Sequence, residues 1–131
     1  MIIDTNIFLE VLLEQEKCEK CVVFLKDFAD GLKEGFLTTF SIDSVVISML
    51  NNDKDEEKIK IFLSSLLKYK GLKLYQVKIR DRINAMILMK KHNLDYEDAL
   101  ILQSAIATNS GEIVSFDKHF DKVKDIKRIE P

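Results

Sequence analysis

Short apolar runs and helical repeats of apolar positions divide the chain into alternating predicted strands and helices. Four runs have the length and β-branched content of strands, and a fifth short strand is expected near the end of the sequence. The predicted strands are Met1–Ile3, Phe36–Thr39, Leu72–Val77, Glu112–Ser115 and Ile126–Ile129. Because helices separate the strands, the pattern predicts an α/β class: a three-layer α/β/α fold with a central parallel sheet of four or five strands.

Apolar positions spaced three or four residues apart predict a pair of helices after each of the first three strands. The predicted helices are Thr5–Leu12, Lys17–Lys33, Ser41–Leu50, Asp55–Leu67, Ile79–His92 and Asp95–Ala107. We expect Ser41 to cap the third of these helices and Asn51–Asp53 to end it.

The last predicted helix differs from the others because its apolar positions are almost continuous. The run Ala99–Ala107 leaves little polar surface, so this helix should be buried on nearly all sides. Its start carries the acids Asp95, Glu97 and Asp98. Carboxylates at the edge of a core are costly unless they cap the helix, pair with cations or bind a metal.

Composition places the chain among ordinary globular proteins. With 131 residues, 47% hydrophobic and 32% charged, it is expected to form one domain over residues 1–131. The net charge of −2 neither indicates nor excludes a nucleic-acid partner. No apolar run approaches the roughly 20 residues that span a bilayer, and no targeting segment is visible, so a cytoplasmic location is expected. Cys18 and Cys21 form a lone CEKC, interpreted as ordinary helix cysteines.

Three acids occupy related places in the predicted topology. Asp4 follows the first strand, Asp117 follows the fourth, and Asp98 lies in the first turn of the helix that precedes the fourth. Sites in parallel sheets form beyond the carboxyl ends of the strands. If the first and fourth strands are neighbours, these three carboxylates converge.

Each acid also has a purely structural interpretation. Asp98 could complete a cap together with Asp95, and Asp117 could be a turn residue. Asp4 is harder to explain this way, because it ends an apolar strand without a glycine or proline turn. Together the acids favour a site for Mg²⁺ or Mn²⁺, which prefer carboxylate oxygen and serve phosphodiester chemistry. No phosphate-binding loop, dinucleotide fingerprint or nucleophile elbow occurs in the sequence.

Three short motifs resemble those of the PIN-domain family, in the same order and over essentially the whole chain. They are Ile2–Asn6, Leu94–Ala99 and Ile113–Phe120. The resemblance implies a PIN-like fold and a metal-dependent nuclease, usually a ribonuclease acting on single-stranded RNA. It also implies a possible antitoxin protein as partner, since many small members are toxins, and a homodimer.

The resemblance implies roles for individual residues. Asp4, Asp98 and Asp117 would ligate Mg²⁺ or Mn²⁺, and Asn6 and Ser115 would orient those ligands or the attacking water. For contacts to RNA, Lys118 and His119 are the first candidates.

One position departs from the family's pattern. The family usually has a glutamate in the helix after the second strand, and here Ser44 stands there with Asp43 beside it. Neighbours on a helix point about 100° apart, so the two cannot both face the site. We expect Asp43 to serve as the fourth acid, at the rim and through water. Otherwise this chain is a catalytically weakened PIN fold that binds RNA or a protein partner.

Overall fold

The computed structural model describes residues 1–52 and 55–131, and this part of the chain forms a five-stranded parallel sheet between layers of helices. The strands are β1 (Ile2–Ile3), β2 (Gly35–Thr38), β3 (Leu72–Tyr75), β4 (Glu112–Val114) and β5 (Lys127–Ile129). The helices are α1 (Thr5–Leu12), α2 (Cys18–Asp30), α3 (Thr39–Asn52), α4 (Glu56–Leu66), α5 (Ile79–His92), α6 (Tyr96–Ala107) and a 3₁₀ helix (Lys118–Lys122). The predicted fold class is confirmed.

The order of strands across the sheet is β3-β2-β1-β4-β5, and every neighbouring pair is parallel. The central strand β1 lies between β2 and β4, with Ile2 opposite Ile113 and Ile3 opposite Val114. The first and fourth strands are therefore neighbours, as the convergence of the acids required. Their carboxyl ends lie at the same edge of the sheet.

The two faces of the sheet bury separate cores. Ile2 packs among buried residues of α5 and α6, whereas Ile3, the next residue, packs among those of α1, α2, α3 and α4. Both side chains are fully buried, as successive residues on a two-sided strand should be. This explains why β1 is apolar at every position until Asp4.

Helix α6 is buried because it contacts β1 and β4 as well as α5. Leu100, Ile101 and Leu102 point in different directions around the helix, and all three are fully buried. Its N-terminus is capped by Asp95, whose carboxylate accepts a hydrogen bond from the Asp98 backbone N–H at 2.8 Å. The predicted cap is confirmed, and it leaves the Asp98 side chain free for another role.

The start of α3 differs from the prediction. The helix begins at Thr39, and the Thr38 hydroxyl accepts a hydrogen bond from the Ser41 backbone N–H at 2.8 Å. Thr38 is thus the capping residue, and Ser41 is fully buried within the first turn. The prediction that Ser41 caps this helix is wrong, because a strand and a helix follow each other here without a loop. The predicted break at Asn51–Asp53 is wrong for Asn51 and Asn52, because α3 continues through both, and Asp53 lies outside the described residues.

In the described part of the chain, no helix has the length and apolar character needed to cross a membrane. The two cysteines lie on α2 and both are free thiols.

Candidate functional site

Asp4 ends β1 at the carboxyl edge of the sheet and is almost completely buried, with 4% of its surface exposed. One oxygen, Oδ2, accepts two hydrogen bonds: the Ser115 hydroxyl donates at 2.5 Å and the Asn6 side-chain amide at 2.6 Å. The carboxylate is therefore held by two neutral donors, from the end of β4 and the start of α1. No cation pairs with it among the described residues.

The same donors link Asp4 to the loop that follows β4. Ser115 Oγ accepts hydrogen bonds from Asn6 Nδ2 at 3.0 Å and from the Asp117 backbone N–H at 2.9 Å. Asn6 Oδ1 in turn accepts one from the Phe116 backbone N–H at 3.4 Å. This network fixes the loop and places Asp117 at the same edge of the sheet as Asp4.

Asp98 lies in the first turn of α6, with 7% of its surface exposed. Its backbone N–H is satisfied by Asp95, but its carboxylate receives no hydrogen bond from any residue in 1–52 or 55–131. Among the described residues, the basic group that approaches it is His119 Nδ1, 4.0 Å from Oδ2. A buried carboxylate with no donor is the unusual feature of this site.

Asp117 caps the 3₁₀ helix through a hydrogen bond from the His119 backbone N–H, at 2.8 Å. His119 Nδ1 also lies 2.8 Å from Asp117 Oδ1. Possible ligand atoms of Asp98, Asp117 and His119 all lie within 4.8 Å of one another. The spacing would allow them to share one cation.

Burial and mutual repulsion shift the pKa values of two of these acids upward. Burial is the main cause for Asp4, whose pKa rises to about 7; the Ser115 hydrogen bond opposes the rise, and the charges of Asp98 and Glu97 add to it. Burial also raises the pKa of Asp98 to about 6, with repulsion from Asp95, Asp117 and Glu97 and some relief from His119. The site thus holds more negative charge than its surroundings compensate.

The acids surround an open pocket of about 260 Å³. It is lined by Asp4, Thr5, Asn6, Leu9, Ser44, Ser48, Asp95, Glu97, Asp98 and Asp117. Four of the residues predicted from sequence are therefore brought together in one cavity, and Ser115 supports them from behind Asp4. Lys118 and His119 are exposed on the adjacent 3₁₀ helix and do not line the pocket.

The structure does not bring Asp43 to the site, and the expectation that it supplies the fourth acid is corrected. Asp43 is exposed and lines no part of the pocket, whereas Ser44 does. The reason is geometric: α3 is oriented so that Ser41 and Val45 are buried, and Ser44 lies next to them around the helix. Asp43 points away from that buried face.

Glu97 and Asp95 are acids of the pocket that the sequence did not single out as site residues, and Asp95 is the cap of α6. Glu97 Oε1 accepts hydrogen bonds from Thr5 Oγ1 at 2.8 Å and from Ser44 Oγ at 2.7 Å. The signal for Glu97 was its place in the first turn of the buried helix, directly before Asp98. What the sequence lacks is any local sign that hydroxyls from α1 and α3 meet there.

Comparison with protein families gives a match to the family described as PIN domain, over residues 1–126. This range includes Asp4, Asp98 and Asp117. A search of curated protein sequences finds no match.

Solved structures with the same fold cover nearly the whole chain. VapC20 from Mycobacterium tuberculosis, described as a sarcin-ricin loop cleaving toxin, has a TM-score of 0.77 at 9% identity, covering 99% of this chain and 98% of that one. VapBC2 from Rickettsia felis, solved with a DNA fragment from its promoter, has a TM-score of 0.71 at 17% identity, with 98% and 96% covered. A toxin–antitoxin complex from Klebsiella pneumoniae has a TM-score of 0.70 at 13% identity, with 95% and 93% covered.

Proposed function

The chain belongs to the PIN domain family, and from that premise we propose that it is a divalent-metal-dependent endoribonuclease that cleaves single-stranded RNA. One observation carries the proposal. The Asp98 carboxylate is buried, accepts no hydrogen bond from a described residue, and lines a pocket together with Asp4 and Asp117. Such an arrangement costs free energy unless a cation offsets it.

The donor set suits Mg²⁺ or Mn²⁺. Asp4, Asp98 and Asp117 offer carboxylate oxygens, the ligands that hard divalent cations prefer, and both thiols lie on α2, which contributes nothing to the pocket. These three residues would hold the ion. When bound, it would activate a water molecule and stabilise the attacking and leaving oxygens of a phosphodiester.

The other residues of the site have roles that do not depend on contact with the ion. Asn6 and Ser115 orient Asp4 by donating to its Oδ2. The Ser115 hydroxyl also holds the Asp117 backbone in place. A ligand set fixed in this way needs little rearrangement on binding the ion.

RNA contacts are proposed for the exposed basic residues beside the pocket. Lys118 and His119 follow Asp117 directly on the 3₁₀ helix, and both side chains face solvent. A phosphate on either side of the scissile bond could reach them. We place this activity in the cytoplasm, where messenger, ribosomal and transfer RNA are all available.

An antitoxin protein is proposed as a partner. The complexes from Klebsiella pneumoniae and Rickettsia felis, which share this fold, support the proposal. An apolar pocket lined by Phe8, Leu25 and Ile61 lies between α1, α2 and α4, and Ile61 is 62% exposed. An apolar segment of the antitoxin could cover this surface without displacing a core residue.

A homodimer is also proposed, through α5. Ile79, Ile83, Met86 and Ile87 form a stripe at helical spacing along this helix, and each is about half or more exposed. Exposed apolar stripes of this kind are uncommon on monomers.

The second candidate function is a catalytically weakened module that binds RNA or a protein. It is favoured by one observation: α3 contributes Ser44 to the pocket and no acid. Such a module would bind single-stranded RNA without cutting it, with or without a divalent ion.

The test is cleavage of a labelled single-stranded RNA by the purified protein with Mg²⁺ or Mn²⁺. We expect cleavage that stops with chelator and is lost in Asp98→Asn, with a duplex of the same sequence cut more slowly. Cleavage that continues at full rate after chelation would exclude the metal-dependent mechanism. Binding without cleavage in every ion tested would select the weakened module.

A further inference from the structure

Glu97 makes contacts that a solvent-facing acid in a first helical turn does not need. Its Oε1 accepts two hydroxyl hydrogen bonds, from Thr5 at 2.8 Å and from Ser44 at 2.7 Å. These donors come from α1 and α3, and they are 92 and 53 residues away in sequence. Three helices thus meet at one carboxylate oxygen.

The second oxygen of Glu97 has a different environment. Neither hydroxyl donates to Oε2, and no lysine, arginine or histidine within residues 1–52 and 55–131 forms an ion pair with Glu97. A carboxylate has about four acceptor positions, so Oε2 keeps its full capacity. Glu97 lines the same pocket as Asp4, Asp98 and Asp117.

We infer that Glu97 is the fourth carboxylate of the metal site, presenting Oε2 to the cation, and that Thr5 and Ser44 are the residues that position it. This rests on the proposed function. A second observation that does not depend on the number of acids supports it: the Asp98 side chain is nine-tenths buried and lines the pocket without a hydrogen-bond donor.

The inference gives Ser44 a specific role. The α3 residue that faces the pocket carries a hydroxyl, and this hydroxyl donates to the acid that α6 supplies. A glutamate at position 44 would instead place a second negative charge next to Glu97. Three helices therefore contribute to this acid: α6 provides the charge, and α3 and α1 fix its direction.

Glu97 also has a purely structural interpretation, in which it only joins α1, α3 and α6 as a hydrogen-bond acceptor. Glutamine keeps the length and the acceptor oxygen for Thr5 and Ser44 but removes the charge. Glu97→Gln should therefore keep the hydrogen bonds from Thr5 and Ser44 and weaken binding of the metal ion.

The experiment is a Mn²⁺ titration of the full chain, with free Mn²⁺ followed by electron paramagnetic resonance and folding checked by circular dichroism. We expect Glu97→Gln to weaken Mn²⁺ binding about tenfold or more, since even residues that only orient metal ligands contribute about 10–100-fold. Ser44→Ala should weaken it in the same direction by a smaller factor, because Thr5 still holds Oε1. Glu57→Gln, the same change at an exposed residue outside the pocket, should bind as the wild type does.

The outcomes separate this inference from the proposed function. Wild-type binding of Mn²⁺ together with unchanged binding by Glu97→Gln would overturn the role of Glu97 and leave the nuclease proposal intact. A wild-type protein that binds no Mn²⁺ would overturn both. If Glu97→Gln does not fold, Ser44→Ala decides: unchanged Mn²⁺ affinity in that variant would overturn the inference.

Discussion

The Ser115 hydroxyl donates a 2.5 Å hydrogen bond to the Asp4 carboxylate, joining two residues that are 111 positions apart. The bond exists because β1 and β4 are parallel neighbours, so the residues that follow them meet at one edge of the sheet. It lowers the pKa of a carboxylate whose burial acts in the opposite direction. Ser115 thus helps keep Asp4 ionised, the form in which it can bind a cation.

Replacing Ser115 with alanine should move metal binding to higher pH. Without the hydroxyl, burial dominates and the pKa of Asp4 rises further above its value of about 7. We expect the pH at which Mn²⁺ binding reaches half its maximum to increase relative to wild type. Ser65→Ala is the matched control, because the Ser65 hydroxyl donates to Phe62 O at 2.7 Å outside the site. If the wild type, Ser115→Ala and Ser65→Ala share one pH profile of Mn²⁺ binding, Ser115 does not lower the pKa of Asp4.

Replacing Asp98 with asparagine should abolish cleavage while the fold is kept. The Asp98 side chain accepts no hydrogen bond from the described residues. Burial, together with repulsion from neighbouring acids, raises its pKa to about 6, so removing the charge removes an unfavourable contribution to folding. We expect an unchanged or higher Tm in chelator. Asp95→Ala removes the real cap of α6 and should cost about 1 kcal/mol. Should Asp98→Asn cut RNA normally, Asp98 is no metal ligand.

The stability of the metal-free protein should decrease as pH rises from about 4 to about 7. Because the pKa of Asp4 is raised from 3.8 to about 7, the native state binds more protons than the unfolded state in that window. The contribution of Asp4 to the free energy of unfolding is therefore favourable near the low end of this pH range, and it is lost as Asp4 ionises. Asp4→Asn should flatten this dependence in urea titrations done in chelator at several pH values. A variant with the wild-type slope would mean that Asp4 does not titrate in this range.

Replacing Asp43 with asparagine should leave both Mn²⁺ affinity and cleavage at wild-type levels. Asp43 is exposed on α3 and lies outside the pocket. A drop in affinity comparable to that of Asp98→Asn would restore Asp43 to the ligand set. The measurement is the same Mn²⁺ titration, so the two variants can be compared directly.

Light scattering at micromolar concentration should show a dimer that Ile83→Glu converts to a monomer. Ile83 lies in the apolar stripe of α5 and is 60% exposed; burying a charge there on association would be unfavourable. Ile61→Glu on α4, where the side chain is 62% exposed, is the control and should remain dimeric. A wild-type monomer would rule out the dimer, and a monomer only in Ile61→Glu would move the interface to α4.

The sequence was sufficient for the fold because its elements are marked by strong local signals. The apolar strands, the helical repeats and the Asp95 cap are each readable within a few residues. Asp4, Asp98 and Asp117 could also be placed at one edge, since parallel sheets bring strand ends together. The structure adds that they share one pocket.

The orientation of α3 could not be predicted in the same way. Whether Asp43 or Ser44 faces inward depends on where the helix begins, and Thr38 caps it three residues before Ser41, the expected cap. Asp43 and Ser44 point about 100° apart, so the orientation of the helix decides which of them reaches the pocket. Glu97 was missed for a related reason: its partners Thr5 and Ser44 are distant in sequence and carry no charge that would mark them.

The pairing of β1 with β4 also has a consequence during translation. Asp4 is synthesised before its partners Ser115 and Asp117, which follow more than a hundred residues later, and β1 has no neighbour on that side until β4 is made. An incomplete chain on the ribosome therefore lacks the acid cluster. The proposed metal site can therefore form only after β4 has left the exit tunnel and paired with β1.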